Sequence, residues 1–264
     1  MSISVITGAG SGMGAEVARR FAGEGPLLLC DVSEGRLQAL LPTLAGQGHV
    51  IVAGDLTDPA VIARIAQAVA QGGGLARLVH AAGLSPTMAD PRRILDVNLC
   101  ASARLLDAVE GLAGAGSAAV LIASIAGHNA AIDRDADLDA PLAPGVLDRL
   151  VEGIDSYGAY SYSKRGVMRL VEARARSWGQ RGARIVSLSP GLIATPMNEA
   201  EFDANPIIGR MLDATPVPRM GSAGEIADAI AYLCSDRASF VTGTDLRVDG
   251  GIVAVMHTDP LFGK

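Results

Sequence analysis

The sequence predicts an α/β protein built on one doubly wound parallel sheet of about seven strands, with helices on both faces. Three observations carry that expectation. Short, nearly continuous apolar runs alternate with helix-patterned stretches from the first residues to about residue 190, as in a sheet covered on both sides. A glycine-rich turn, Thr7 to Gly14, joins the first apolar run to the first helical stretch. Of 264 residues, 49% are hydrophobic and 19% charged, which supplies a large core and leaves no case for disorder.

In chain order, strands are expected at residues 3–7, 27–30, 50–53, 78–81, 119–123, 184–188 and 245–248. Between them, helical patterns cover 14–22, 59–70, 92–110 and 167–178. No repeat, low-complexity tract or linker interrupts the series, so residues 1–264 read as a single domain. Two stretches break the rhythm: 127–158, an insertion rich in aspartate, and 197–218, rich in proline. Connections of this length inside a compact domain are usually lids or binding loops. The second is expected to be a substrate lid. The acidic part of the first, 133–139, is expected to be solvated.

Net charge is −6 and no basic run occurs, which argues against nucleic acid or an anionic membrane as partner. Cys30, Cys100 and Cys234 are far apart and in no metal-like spacing, which suits a reducing compartment. No basic region precedes a long apolar stretch at the N-terminus, and the longest apolar runs, such as 118–123, are strand-sized. A signal peptide and a membrane span are therefore not expected. The expectation is a soluble, cytoplasmic protein.

The glycine turn sits between strand and helix, the position in which backbone can approach a pyrophosphate held at a helix N-terminus. Asp31 closes the second strand, 17 residues after Gly14. A carboxylate there accepts hydrogen bonds from ribose hydroxyls and repels a 2′-phosphate. No arginine or lysine adjoins it in the chain, so NAD(H) is expected rather than NADP(H). Capping the next helix is the other use for Asp31, although Ser33 suits that better. Tyr160 and Lys164 are four apart and share one face of a helix. An ammonium beside a phenol draws its pKa down from about 10, so the pair can exchange a proton at working pH; packing at a core edge is the alternative.

These motifs together resemble the short-chain dehydrogenase/reductase family, and the likeness runs almost end to end. The Thr-Gly-x-x-x-Gly-x-Gly turn is Thr7 to Gly14, with Gly8, Ser11, Gly12, Met13 and Gly14 against the cofactor. The adenine-binding Asp-Leu pair is Asp55-Leu56, and His80-Ala81-Ala82-Gly83 stands where the family has Asn-Asn-Ala-Gly. Asn98, Ser124, the Tyr160–Lys164 pair, Pro190-Gly191 with Ile193 and Thr195, and Asp249-Gly250-Gly251 follow in family order. His80 and Ala81 are departures, so the asparagine bonds that brace the central strand must be rebuilt. His80 itself reads more readily as a hydrogen-bonded core residue than as a catalyst.

Between Gly83 and Asn98 the chain is short for the family; between Ser124 and Tyr160 it is long. That pattern is similar to bacterial 3α-hydroxysteroid dehydrogenase/carbonyl reductases. The resemblance implies a Rossmann-like fold, homo-oligomeric assembly as dimer or tetramer, and reversible hydride transfer between NAD(H) and a secondary alcohol or ketone. Tyr160 is implied as acid/base, Lys164 as its partner and a ribose ligand, and Ser124 as donor to the reacting oxygen. Asn98 is implied to help a water relay protons. Ser124 as a strand-end turn, Asn98 as a local backbone partner and Thr195 as a helix cap remain alternatives. Met197, Phe202, Ile207, Ile208, Met211 and Leu212 offer an apolar lid for a steroid or another bulky hydrophobic carbonyl. The insertion is expected to line one wall of the substrate cleft. The alternatives in function are the same chemistry with NADP(H), and a non-catalytic NAD(H)-sensing regulator.

Overall fold

The computed structural model describes residues 2–195 and 206–258. Seven strands form one sheet: β1 (Ile3–Thr7), β2 (Leu27–Asp31), β3 (Val50–Ala53), β4 (Leu75–His80), β5 (Ala113–Ile122), β6 (Arg184–Pro190) and β9 (Asp245–Val248). Their order is β3-β2-β1-β4-β5-β6-β9, and every pairing is parallel. The fold is thus the Rossmann-like α/β architecture expected. A small second ladder joins β7 (Ile193–Ala194) to β8 (Gly221–Ser222).

Alternation along the strands divides the core into two layers. Val5, Leu28, Leu78 and Leu121 face a layer built with α3 (Pro59–Gln71) and α9 (Ser156–Gln180). Ile6, Leu29, Val79 and Val120 face the other, built with α1 (Gly12–Phe21), α2 (Glu34–Leu40) and the helix Ala223–Cys234. Period-two alternation on a sheet buried from both sides produces this division.

Some boundaries differ from the sequence pattern. β5 begins at Ala113 rather than 119, because pairing with Leu75 holds a Gly/Ala-rich stretch that has little strand propensity of its own. Ser117 helps by donating to the Leu75 carbonyl at 2.7 Å. The helical pattern at 92–110 is two helices, α4 (Pro91–Leu95) and α5 (Ala101–Val109), joined by a π-helical turn at Asp96–Cys100. α9 starts at Ser156 instead of 167. Its first turns are polar because they face a cleft, and Asp155 caps them by accepting from the Gly158 N–H at 2.8 Å.

The acidic insertion is not a solvated loop. α7 (Asp135–Leu138) is fastened to α9: Asp135 accepts from Arg165 and Arg169, and Asp139 from Arg169. Asp137 accepts at 2.6 Å from Arg149 on α8 (Val146–Val151), and the Tyr162 hydroxyl donates to Asp133 at 2.8 Å. Leu138 is fully buried beneath these bonds. Spacing in the chain gives no sign of arginine partners some 30 residues away, which is why the charges read as solvated.

Candidate active site

β1 and β4 are neighbours from which the chain winds outward in opposite directions. The crevice at the carboxyl ends of these strands is where such sheets bind nucleotides. The glycine turn occupies it. Gly8 and Gly12 adopt φ of +67° and +52°, conformations that disfavour side chains. A Cβ on Gly14 would stand 2.1 Å from the Gly8 carbonyl oxygen, and one on Gly8 would stand 2.7 Å from the Ala82 nitrogen. The turn is therefore pressed against β4 and opens α1 toward the crevice. This cradle, with backbone N–H groups at a helix start, suits a dinucleotide pyrophosphate.

Gly8, Ser11, Gly12, Met13, Gly14, Asp31, Asp55, Leu56, Ala82, Gly83 and Thr195 all line this cleft. Asp31 accepts from the Gly10 N–H and the Ser33 N–H, each at 2.9 Å, one on each carboxylate oxygen. Ser33 caps α2 by accepting from Arg36 N–H, so Asp31 is not the cap. Each Asp31 oxygen retains a lone pair for a ribose hydroxyl. Asp55 accepts from the Thr57 backbone and hydroxyl, both at 2.9 Å, and from Arg93. Burial pushes its carboxyl up, but these donors together hold it below the ordinary carboxylate value.

A second, more apolar cleft adjoins the first, and Met13, Ala81, Gly83, Leu84 and Thr195 line both. Ser124, Tyr160 and Lys164 meet in it, together with Pro190, Gly191, Ile193, Ile207, Ile208 and Met211. Ser124 lies just past β5, where it caps α6 (Ile125–Asn129) by accepting from the Ala126 N–H at 3.2 Å. Lys164 is buried, with its Nζ 5.7 Å from the Tyr160 ring centre and donating to the Ile122 carbonyl at 2.9 Å. Burial lowers its pKa to about 8.

Asn98 is not among the residues that line either cleft. It is 1% exposed and stands behind the cleft. Its Oδ1 accepts from Leu84 N–H at 2.7 Å, while its Nδ2 donates to Leu84 carbonyl at 3.0 Å and Ser163 Oγ at 3.2 Å. Those bonds clamp the segment after β4, and the π-helical turn presents the amide to it. Within the insertion, only Tyr157 lines the apolar cleft among the described residues; the wall there is Ile125 and Ala126. Met197 and Phe202 lie outside the described residues, and Leu212 is not among the lining side chains.

Several lining residues were not singled out from sequence. Tyr157 and Ser161 share the Tyr160–Lys164 face at positions i, i+3, i+4 and i+7, a signal that the helical spacing does contain. Arg36 and Arg93 reach the nucleotide cleft from α2 and α4, and only tertiary structure reveals that.

Residues 2–135 match the family model described as short chain dehydrogenase, and residues 148–253 match one described as enoyl-(acyl carrier protein) reductase. The chain belongs to the short-chain dehydrogenase/reductase family. It is 34% identical to cis-4-hydroxycyclohexanecarboxylate dehydrogenase of Sinomonas cyclohexanicum, over 96% of this chain and 97% of that one. It is 31% identical to 3-alpha-hydroxysteroid dehydrogenase/carbonyl reductase of Comamonas testosteroni, over 97% and 98%. The 3-alpha-hydroxysteroid dehydrogenase of Pseudomonas sp. B-0831, solved with NADH, superposes with a TM-score of 0.82 at 28% identity, covering 98% of this chain and 99% of that one. This short-chain dehydrogenase/reductase is thus an oxidoreductase of a class that uses a nicotinamide cofactor and acts on alcohols and ketones. No helix among its described residues is long and apolar enough to cross a membrane.

Proposed function

We propose that the protein transfers a hydride reversibly between NAD(H) and a secondary alcohol or ketone carried on a bulky apolar body. One observation carries this reading: the cleft that holds Ser124, Tyr160 and Lys164 opens directly onto the nucleotide cleft along Met13, Gly83 and Thr195. Asp31 supports NAD(H), since its carboxylate opposes a 2′-phosphate. Leu84, Pro86, Ile125, Leu192, Ile208 and Met211 make the substrate side largely apolar, which favours hydrophobic ketones such as steroids.

When bound, the nicotinamide supplies or takes the hydride at the carbinol carbon. In reduction, Ser124 donates a hydrogen bond to the carbonyl oxygen as negative charge grows there. Tyr160 gives its hydroxyl proton to that oxygen, which completes the alcohol. The Lys164 ammonium stabilises the phenolate left behind. Oxidation runs the same proton path in reverse. Asn98 acts from behind, by fixing Leu84.

The test is NADH oxidation against a panel of ketosteroids, diketones and quinones, with NADPH in parallel. Turnover with NADH is expected to exceed turnover with NADPH. A protein that binds NADH but reduces no member of the panel would instead favour the sensing regulator. NADP(H) use is the second reading, because Arg36 lines the nucleotide cleft beside Asp31. For assembly we propose the homo-oligomer that the family resemblance implies, read by sedimentation velocity. The cysteines are free and buried, which supports a reducing, cytoplasmic setting.

A further inference from the structure

His80 ends β4 beneath the junction of the two clefts, 3% exposed, and no step above uses it. Its Nδ1 lies 2.7 Å from Thr7 Oγ1 and its Nε2 lies 2.7 Å from Ser102 Oγ. The direction of each bond follows from the far end. Ser102 Oγ is 2.7 Å from the Asn98 carbonyl oxygen, which can only accept. A hydroxyl has one proton, so Ser102 gives it to Asn98 and accepts from His80 Nε2–H. Burial, then the Lys164 charge, push the imidazole down to about 3, so the ring is neutral and its Nδ1 is a bare acceptor. Thr7 therefore donates to Nδ1, and its oxygen accepts from the Ala82 N–H at 3.3 Å.

We propose that His80, as the neutral Nε2–H tautomer, is a positioning residue that ties the nucleotide turn at Thr7 to the π-helical turn at Asn98. This rests on the reading of the site under Proposed function. Thr7 leads into the glycine cradle at one end of the chain of bonds. At the other end, the Asn98 amide clamps Leu84 on the cleft wall. Gly83 fits between them and the lysine: a Cβ there would stand 3.2 Å from Asn98 Oδ1 and 3.5 Å from Lys164 Nζ. A shift of the Asn98 backbone is thus passed to the wall that both clefts share. The asparagines that brace this strand in the resembling family are replaced by a ring that reaches two partners at once.

The two arms can be separated, because an asparagine amide reaches about as far as Nδ1 and a glutamine amide about as far as Nε2. His80→Asn keeps an acceptor for Thr7 and loses the donor to Ser102. It is expected to lower kcat about tenfold while NADH Kd stays within about twofold, and Ser102→Ala is expected to match it. His80→Gln keeps the Ser102 arm and is expected to raise NADH Kd more than it lowers kcat. Identical losses in the two His80 variants, or wild-type kcat in Ser102→Ala, would overturn the proposal. Nitrogen-15 NMR of the wild type needs no turnover. The ring whose signal is absent from the His80→Asn spectrum should be protonated at Nε2 and bare at Nδ1 at neutral pH. A protonated Nδ1 at that residue overturns the proposal even if the variants do not fold. If the wild type reduced no ketone, the NMR and Kd measurements would still stand, so failure of the reaction reading is distinguishable from failure of this one.

Discussion

Lys164 Nζ donates to the carbonyl oxygen of Ile122 at 2.9 Å, buried at the apolar cleft that it lines with Ser124 and Tyr160. The fold carries this charge at a cost, because burial lowers its pKa from 10.5 to about 8. Between those values the unfolded chain binds more protons than the folded one, so stability should rise as pH climbs from about 8 to 10.5. The full difference corresponds to at most about 3 kcal/mol. Lys164→Met is therefore expected to be more stable than wild type at pH 7, to lose that advantage near pH 10.5, and to lose turnover throughout. Urea unfolding at the two pH values checks it; a destabilised variant at pH 7 would contradict the sign.

Tyr160→Phe removes the proposed proton donor and keeps the ring that packs beside Lys164. Turnover is expected to fall about 10²–10⁴-fold, the usual contribution of a positioned acid or base. NADH affinity, measured by fluorescence titration, should stay near wild type. Retained turnover would remove Tyr160 from its role.

Asp31→Ser removes the carboxylate that anchors Gly10 and Ser33. The ratio of kcat/KM for NADPH over NADH is expected to rise about tenfold or more, as repulsion of a 2′-phosphate disappears and Arg36 remains in the cleft. An unchanged ratio would assign the discrimination elsewhere.

Gly83→Ala tests crowding at the shared wall. Gly83 is not among the glycines with positive φ, so alanine fits the backbone and only the new methyl matters. Its carbon would stand 3.2 Å from Asn98 Oδ1 and 3.5 Å from Lys164 Nζ. We expect kcat to drop about tenfold with little change in Tm; a large fall in Tm with normal kcat would place the strain in the core instead.

Asp135→Asn weakens the joint between α7 and α9. Asp135 and Arg165 keep 21% and 20% side-chain exposure, so the expected loss is about 1 kcal/mol, smaller at high salt. The hydrogen bond from Arg165 holds the Asp135 carboxyl below its ordinary value. That stability is present above the ordinary carboxylate pKa and fades as pH falls through the lowered one. The variant and wild type should therefore converge in acid. Equal stability at neutral pH would leave the ion pairs without weight.

The sheet was legible because most strands are apolar runs and the helical patterns at 14–22, 59–70 and 167–178 carry apolar stripes, so period separated them. The glycine turn, Asp31 and the Tyr160–Lys164 face were legible because their chemistry depends on short spacings. Three things were hidden. The start of β5 at Ala113 depends on a neighbouring strand, not on its own residues. The Asp135–Arg165 and Asp139–Arg169 pairs join positions 30 residues apart. The polar bridge through His80 links residues 7, 80, 98 and 102, which only the sheet order brings together. Asn98 was picked out from sequence, yet its orientation toward Leu84 follows from a π-helical turn that a straight helical pattern conceals.

The cap at Ser124 has a consequence for what this cleft can recognise. The Ala126 N–H occupies one lone pair of the Ser124 hydroxyl, while its proton meets no acceptor among the described residues. The serine has a proton to offer the cleft, and using it requires a hydrogen-bond acceptor. A carbonyl oxygen satisfies that requirement. The carbon–carbon double bond of an isolated alkene does not, so a substrate bearing both should be reduced at oxygen and leave with its alkene intact.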